Sequence, residues 1–168
     1  MSTDHRDPRR TVVIGAGNVL MGDDGLGLAA LERLRSNWTV PEEVDLVDGG
    51  TFGLYLLPAI EDAARLLVLD AIDIGAEPGT EIVLTRKDLP RYVSRPTSPH
   101  QVSLCDALAL AELRDALADD TTIIGLQPGL ITFSTHLSDP VASRIDDLVA
   151  LAVRVLADWG HQCTQVRS

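Results

Sequence analysis

Aromatic residues, basic residues and paired cysteines are all scarce in this sequence. Phe, Trp and Tyr supply 4% of the 168 residues, while hydrophobic residues supply 45%, so the core must consist of Val, Leu, Ile and Ala, as in layered α/β proteins. The formal net charge of -11 disfavours binding to nucleic acid or to anionic lipid. The two cysteines, Cys105 and Cys163, have no CxxC spacing, which argues against a structural zinc site and against a disulfide-stapled secreted fold.

Long apolar stretches and targeting signals are missing as well. The chain starts with the polar segment MSTDHRDPRR, and no apolar run approaches the ~20 residues of a membrane span. We therefore expect a cytoplasmic protein without a membrane partner, and we expect it to be a monomer. The pattern predicts a disordered segment over 1–10, a single α/β domain over 11–160 and a C-terminal tail over 161–168.

Strand-like and helix-like segments alternate along the chain. The short apolar runs TVVIGA, EVDLVDGG, RLLVLDAI and TTIIGLQP predict strands, and RLLVLDAI is apolar enough to be central and covered on both faces. GTEIVLTR follows RLLVLDAI too closely for a parallel crossover, so it is predicted to return antiparallel. The sequence thus predicts a three-layer α/β/α sandwich around a twisted, mostly parallel five-stranded sheet, with the fourth strand antiparallel.

Helices are predicted between these strands by their apolar spacing. The first extends from Asp24 to about Trp38, and Pro58 bends or divides the second. A third begins at SPHQ, where Ser98 is the expected N-cap. One long helix, DPVASRIDDLVALAVRVLADWG, closes the domain.

The glycine-rich stretch GAGNVLMGDDGLG follows the first predicted strand. A dinucleotide-binding fingerprint needs glycines at three fixed places, but here Gly15 and Gly17 fill the first two and Leu20 occupies the third. Asp23 and Asp24 lie where a phosphate would have to approach, and no Gly-Lys-Ser/Thr of a P-loop follows. The nucleotide interpretation is therefore disfavoured. One of the two acids can cap the following helix, which leaves the other without a structural role.

Three acids follow predicted parallel strands, at the edge where α/β sheets bind their ligands. Asp24 follows the first strand, Asp48 ends the second, and Asp70 ends RLLVLDAI. The structural alternative for Asp24 is to cap the helix, and that for Asp70 is a hydrogen-bonded acid at a strand end. Burying a carboxylate at the end of so apolar a strand is costly, which makes Asp70 the most informative of the three.

His100 is the best histidine candidate for a metal ligand. It falls in the first turn of the helix that begins at SPHQ, where the positive end of the helix dipole favours the neutral imidazole that binds metals. A solvent-exposed polar role is the alternative, and His5, His136 and His161 have no comparable start signal. Two carboxylates and one imidazole suit a divalent transition metal. No HExxH, GxSxG or Cys/His arrangement points to another hydrolase type.

Five motifs together resemble those of the NiFe-hydrogenase maturation endopeptidases. They are, in order, GAGNVLMGDDGLG, VDLVDGGTFG, LLVLDAIDIGAEPGT, SPHQVSL and IIGLQP, and the resemblance covers Val12 to Trp159. It implies an endopeptidase that removes a short C-terminal extension from a hydrogenase large-subunit precursor once nickel has been inserted. Some members have Glu at the position of Asp24, and others share the Asp.

The resemblance also implies roles for individual residues. Asp24, Asp70 and His100 would recognise the nickel of the precursor and form the catalytic site, and Asp48, Gly49, Gly50 and Thr51 would line the groove for the C-terminal segment. Nickel would arrive with the substrate, so the isolated protein is expected to hold little metal tightly. Water is the expected attacker, with nickel activating the reactants, or with nickel only positioning the chain while Asp24 or Asp70 acts as base. A noncatalytic nickel-binding or chaperone module with the same ligands is the alternative.

Overall fold

The computed structural model describes residues 10–50, 53–94 and 99–167, with the side chains of 99–103 left out. Its strands are β1 (Thr11–Ala16), β2 (Trp38–Thr39), β3 (Val44–Gly50), β4 (Arg65–Ala71), β5 (Glu81–Thr85), β6 (Asp120–Leu126) and β7 (Thr164–Gln165). Its α-helices are α1 (Leu26–Asn37), α2 (Leu57–Asp62), α3 (Leu89–Val93), α4 (Pro99–Leu113), α5 (Asp139–Ala142) and α6 (Ile145–Asp158). Short 3₁₀ turns at Gly22–Gly25, Gly53–Leu56 and Arg86–Asp88 precede α1, α2 and α3.

Five of the strands form one sheet in the order β3-β1-β4-β6-β5. The pairs β1–β3, β1–β4 and β4–β6 are parallel, and β5 runs antiparallel to β6. The predicted fold class is therefore confirmed, including the central place of RLLVLDAI and the reversed fourth strand. The sequence did not indicate the second, two-stranded antiparallel sheet, in which β2 pairs with β7.

The core has two halves, one on each face of the sheet. Along β4, Leu66 and Val68 face a cluster that includes residues of α2, α3 and α4. Leu67 and Leu69 face the opposite cluster, which includes residues of α1 and α6. Because helices cover both faces, β4 can be apolar at every position from Leu66 to Leu69 instead of alternating with polar residues.

The predicted helix boundaries need two corrections. α1 begins at Leu26 rather than Asp24, because Asp24 belongs to the preceding 3₁₀ turn. The closing helix is divided into α5 and α6, since Arg144 leaves the helical conformation with φ -111 and ψ 0. Val141 and Ile145 lie on either side of this break and are buried in the same cluster, so the apolar spacing continues across it and conceals it.

The connections of β1 and β4 depart in opposite directions along the sheet. β1 leads through α1 to β3 on one side, whereas β4 leads onward to β5 and β6 on the other. Adjacent parallel strands of this kind leave a crevice at their carboxyl ends, and such crevices bind ligands in α/β proteins. Gly27 lets the first turn of α1 pack closely against the ends of β1 and β4, because a Cβ at this position would overlap the carbonyl oxygens of Ala16 and Leu69. The residues just before α1 are thereby held beside the end of β4.

A buried histidine lies at the opposite, amino end of the strands. The His161 Nε2 atom is 2.7 Å from Oγ1 of Thr11, the first residue of β1. Burial lowers the pKa of His161 from its usual value, the nearby positive charge of Arg65 lowers it further, and Glu43 opposes the shift. The folded state therefore favours the neutral imidazole.

No helix among the residues described here combines the length and the apolar character that a membrane crossing requires.

His161 should make the folding stability depend on pH. Because the pKa of His161 is lowered by folding, its stabilising contribution is complete above the usual pKa of 6.5 and is lost as the pH falls from there through the pKa of the folded state. The free energy of unfolding, measured with urea, should fall less between about pH 8 and about pH 5 for His161→Gln than for the wild type. The exposed-histidine variant His136→Gln should keep the wild-type loss, and an equal loss in all three proteins would contradict this expectation.

Candidate active site

Asp23 ties the loop after β1 to the loop after β6. Its carboxylate accepts hydrogen bonds from the backbone N–H groups of Gly129, Leu130 and Ser138 at 2.7–2.8 Å, and from the Ser138 hydroxyl at 2.7 Å. Burial alone would raise the pKa of Asp23, but these hydrogen bonds, from Ser138 above all, outweigh burial and hold the pKa below its usual value. Asp23 is therefore a structural acid that remains ionised while fully buried.

Asp24 is also buried, with 1% of its surface exposed. Its Oδ2 accepts a hydrogen bond from the backbone N–H of Asn18 at 3.2 Å. The capping interpretation of the acid pair is wrong, because the N-cap of α1 is Gly25. Gly17, with φ 140, allows the loop to fold back at this point, since a Cβ there would overlap the carbonyl oxygen of Asp24. Asp24 thus lies in the turn that α1 and Gly27 hold at the crevice between β1 and β4.

Asp70 ends the central strand and is fully buried. The backbone N–H of Ala71 donates to its Oδ1 at 2.8 Å, and the hydroxyl of Tyr92 donates to its Oδ2 at 2.6 Å. Its strand neighbours Leu69 and Ala71 belong to the core half that contains α1, so the alternation of β4 turns Asp70 toward the half that contains α3 and α4. Because β1 and β4 are adjacent and parallel, Asp70 near the end of β4 and the turn that carries Asp24 after β1 lie at the same edge of the sheet.

The third predicted ligand, His100, is the second residue of α4, and its side chain lies outside the described part of the structure. The same helix carries Cys105, little more than one turn further along. Burial raises the pKa of the Cys105 thiol to about 12, and the negative charges of Asp70 and Asp106 act in the same direction. Cys105 is buried in the same core half as Val68 of β4, so these turns of α4 lie on the face of the sheet toward which Asp70 turns.

Neither cysteine is suited to nucleophilic catalysis. Cys105 is 4% exposed and, with a pKa of about 12, is a neutral thiol near pH 7. Burial also raises the pKa of Cys163. These are the two cysteines of the sequence, and Cys105 belongs to the buried core, so a cysteine-protease mechanism is disfavoured.

The predicted substrate groove is described in part. Asp48 is exposed and accepts a hydrogen bond from the backbone N–H of Gly50 at 2.9 Å, while Gly49 is buried against Ile14. Thr51 lies outside the described residues. Asp48 also lines a cavity of about 310 Å³. The other lining residues come from α1 and from the loops after β1 and β6: Val19, Gly22, Gly25, Leu28, Ala29, Leu31, Glu32, Arg35, Thr135 and Leu137.

Gln127, at the end of β6, organises a further loop at this edge of the sheet. Its Oε1 accepts from the backbone N–H groups of Ile74 and Ala76 at 2.9 and 3.1 Å, and its Nε2 donates to Oδ1 of Asp73 at 2.9 Å. The hydrogen bonds from Gln127 and from the N–H of Gly75 lower the pKa of Asp73. Asp73 thus holds the loop after β4. Sequence reasoning missed the role of Gln127, although the residue lies within the quoted IIGLQP motif.

Among the described side chains, which do not include that of His100, no three His, Cys, Asp or Glu residues lie close enough together to hold a metal ion. Asp24 and Asp70 supply carboxylate oxygens at the same crevice. Such oxygens, with an imidazole, are a donor set that a divalent transition metal accepts.

Comparison with known proteins identifies the family. The family model described as hydrogenase maturation protease, HycI, matches residues 28–155. The hydrogenase expression/formation protein HupD of Rhodobacter capsulatus is 41% identical over 160 residues, which cover 94% of this chain and 76% of that protein. This chain belongs to the hydrogenase maturation protease family. It is therefore a hydrolase of the peptidase class, which disfavours the noncatalytic nickel-binding alternative and the nucleotide-dependent one.

Two further members of this protease family give a consistent result. HupD of Bradyrhizobium diazoefficiens is 38% identical over 162 residues, covering 95% of this chain and 84% of that protein. The solved structure of the hydrogenase maturating endopeptidase HybD of E. coli superimposes with a TM-score of 0.88 at 27% identity, covering 93% of this chain and 97% of the other. The α/β architecture of the protease is thus shared over nearly its whole length.

The tie made by Asp23 can be tested by removing its charge. Asp23→Asn puts an amide N–H₂ against donors that now meet a carboxylate oxygen, so we expect the free energy of unfolding to fall by about 1–3 kcal/mol. The loop after β6 should also be cut faster by a nonspecific protease. Asp139→Asn removes an equal charge from an exposed acid in the same region and should change neither quantity. If Asp23→Asn unfolds and is cut by the protease like the wild type, the hydrogen bonds of Asp23 do not stabilise these loops.

Proposed function

We propose that this protease removes the C-terminal extension of a NiFe-hydrogenase large-subunit precursor after nickel insertion. We further propose that it recognises the nickel of the precursor through Asp24, Asp70 and His100. The observation that carries the proposal is the burial of two carboxylates, 1% and 0% exposed, at the crevice between β1 and β4. Buried carboxylates at functional crevices are candidates for metal binding and for acid–base work.

Nickel enters this scheme as part of the substrate. The precursor supplies the metal with its own ligands, and the protease adds carboxylate oxygens from Asp24 and Asp70 and the imidazole of His100. A precursor without nickel would offer these residues no positive charge. The requirement for the metal would then follow from charge complementarity, because carboxylates attract a divalent cation and gain no such attraction from a precursor that lacks it.

Water is the proposed nucleophile. The pKa of about 12 for Cys105 makes the thiolate rare, and the Ser138 hydroxyl donates a hydrogen bond to Asp23, whose lowered pKa makes it a weak base. Nickel would polarise the scissile carbonyl as a Lewis acid or hold the chain in place, and Asp24 or Asp70 would accept the proton of water. Replacing either acid by Asn keeps a neutral oxygen as ligand but removes the base.

The surface around the crevice suits a protein substrate. Apolar side chains on the loops that follow β1, β3 and β6 are exposed: Val19 by 56%, Tyr55 by 87%, Leu130 by 54% and Phe133 by 85%. Exposed apolar groups collected around a site favour a macromolecular partner over a small polar molecule. We propose that the precursor covers this rim and that its C-terminal segment passes along Asp48, Gly49, Gly50 and Thr51.

Cleavage of a nickel-loaded precursor tests this function. The wild type should release the C-terminal peptide, seen by mass spectrometry as a shorter large subunit, and should leave the nickel-free precursor intact. Asp24→Asn, Asp70→Asn and His100→Ala should each lower the cleavage rate by about 100-fold or more, because each removes a group that acts on nickel or on the attacking water.

Asp158→Asn serves as the matched control for this experiment. It alters an exposed acid at the end of α6, outside the site, and should cleave like the wild type. Binding of the precursor without any cleavage would contradict the proposed reaction. Normal cleavage by all three site variants would contradict the assignment of the site.

A further inference from the structure

The hydroxyl of Tyr92 is bound directly to the carboxylate of Asp70. It donates to Oδ2 at 2.6 Å, while the backbone N–H of Ala71 donates to Oδ1 at 2.8 Å. Each carboxylate oxygen therefore has a donor from a different part of the chain. Tyr92 is 6% exposed and Asp70 is fully buried, so water does not compete freely for this contact.

Two donors fix the rotation of the carboxylate about its Cβ–Cγ bond. A carboxylate offers about four lone-pair positions, and these two hydrogen bonds use one on each oxygen. Because the carboxylate is planar, one hydrogen bond on each oxygen also sets the directions of its other lone pairs. A carboxylate that had only the Ala71 donor could rotate and present a range of directions, which costs binding free energy when one direction is selected.

The position of Tyr92 is itself fixed by contacts that do not involve Asp70. The turn before α3 is closed by a capping box, in which the backbone N–H and the hydroxyl of Thr85 donate to the carboxylate of Asp88 at 2.9 and 3.1 Å. Leu89 and Tyr92 are buried in the same core half as Leu104 and Cys105 of α4. α3, which carries the hydroxyl, is thus held by the capping box and by packing against α4, the helix that carries His100.

We propose that Tyr92 is a positioning residue for the proteolytic site, holding the Asp70 carboxylate in the orientation that receives the nickel of the precursor. The inference rests on the proposed role of Asp70. Tyr92 does not touch the substrate in this scheme and acts only through the carboxylate. A buried tyrosine hydroxyl also needs a partner for stability, so the test must separate orientation of Asp70 from simple packing.

Tyr92→Phe keeps the ring and removes the hydroxyl. We expect the kcat/KM for cleavage of nickel-loaded precursor to fall about 10- to 100-fold, the range seen when a hydrogen-bond partner of a ligating group is removed. Val93→Ala is the matched control, because it weakens packing of the same helix and leaves the hydroxyl–carboxylate bond in place. It should cleave within about twofold of the wild type at a temperature well below the unfolding midpoint of either variant.

A second readout uses Ni²⁺ alone, added to the purified protein and followed by calorimetry. Tyr92→Phe should bind Ni²⁺ about 10- to 100-fold more weakly than the wild type, and Val93→Ala should match the wild type. Wild-type cleavage by Tyr92→Phe, or equal losses in Tyr92→Phe and Val93→Ala, would overturn the inference. If the wild type cleaves no precursor, the proposed function fails, and the Ni²⁺ titration decides the role of Tyr92: equal affinities in wild type and Tyr92→Phe would overturn it.

Discussion

A carboxylate buried at the end of the central strand is the constraint on which the arrangement of this protease depends. Asp70 has no exposed surface, and an ionised group in such a place is tolerated only when hydrogen-bond donors surround it. One donor comes from the adjacent backbone, but the other, the hydroxyl of Tyr92, lies 22 residues further along the chain. The chain after β5 must therefore fold back through the turn Arg86–Asp88 and α3 toward the end of β4. That return places α3 beside Asp70.

The loops at this edge of the sheet are fixed by the same physical means. Asp23 satisfies three backbone N–H groups of the loop after β6, and Gln127 satisfies two in the loop after β4. The backbone of the loop after β1 also pairs with the loop after β6 at Met21 and Ser134. Polar side chains thus hold the irregular loops of this rim together. Apolar side chains on the same loops are exposed, and the proposed function places the precursor on them.

Much of the fold could be predicted from the sequence because each strand of the main sheet is a short apolar run between turn signals. The β2–β7 pair could not, since two residues are too few to show a pattern. Local sequence placed Asp23 and Asp24 in the crevice loop but could not assign their roles. The partner that makes Asp23 structural is Ser138, 115 residues away along the chain. No pattern in the sequence indicates a role for Tyr92, because its hydrogen bond to Asp70 arises only from tertiary packing. The choice of His100 depends on its helix-start motif and on family resemblance.

In the proposed function, Asp24 and Asp70 bind the nickel of the precursor directly. X-ray absorption at the nickel edge can test it on the nickel-loaded precursor, alone and in complex with the slow variant His100→Ala, which retains both carboxylates. We predict that oxygen ligands at about 2.0–2.2 Å appear in the complex, as expected for carboxylate bound to a divalent transition metal. They should be lost when Asp24→Ala and Asp70→Ala, which remove the ligand oxygens, are added to the same variant. A nickel spectrum that is identical in the free precursor and in a demonstrated complex would contradict the account.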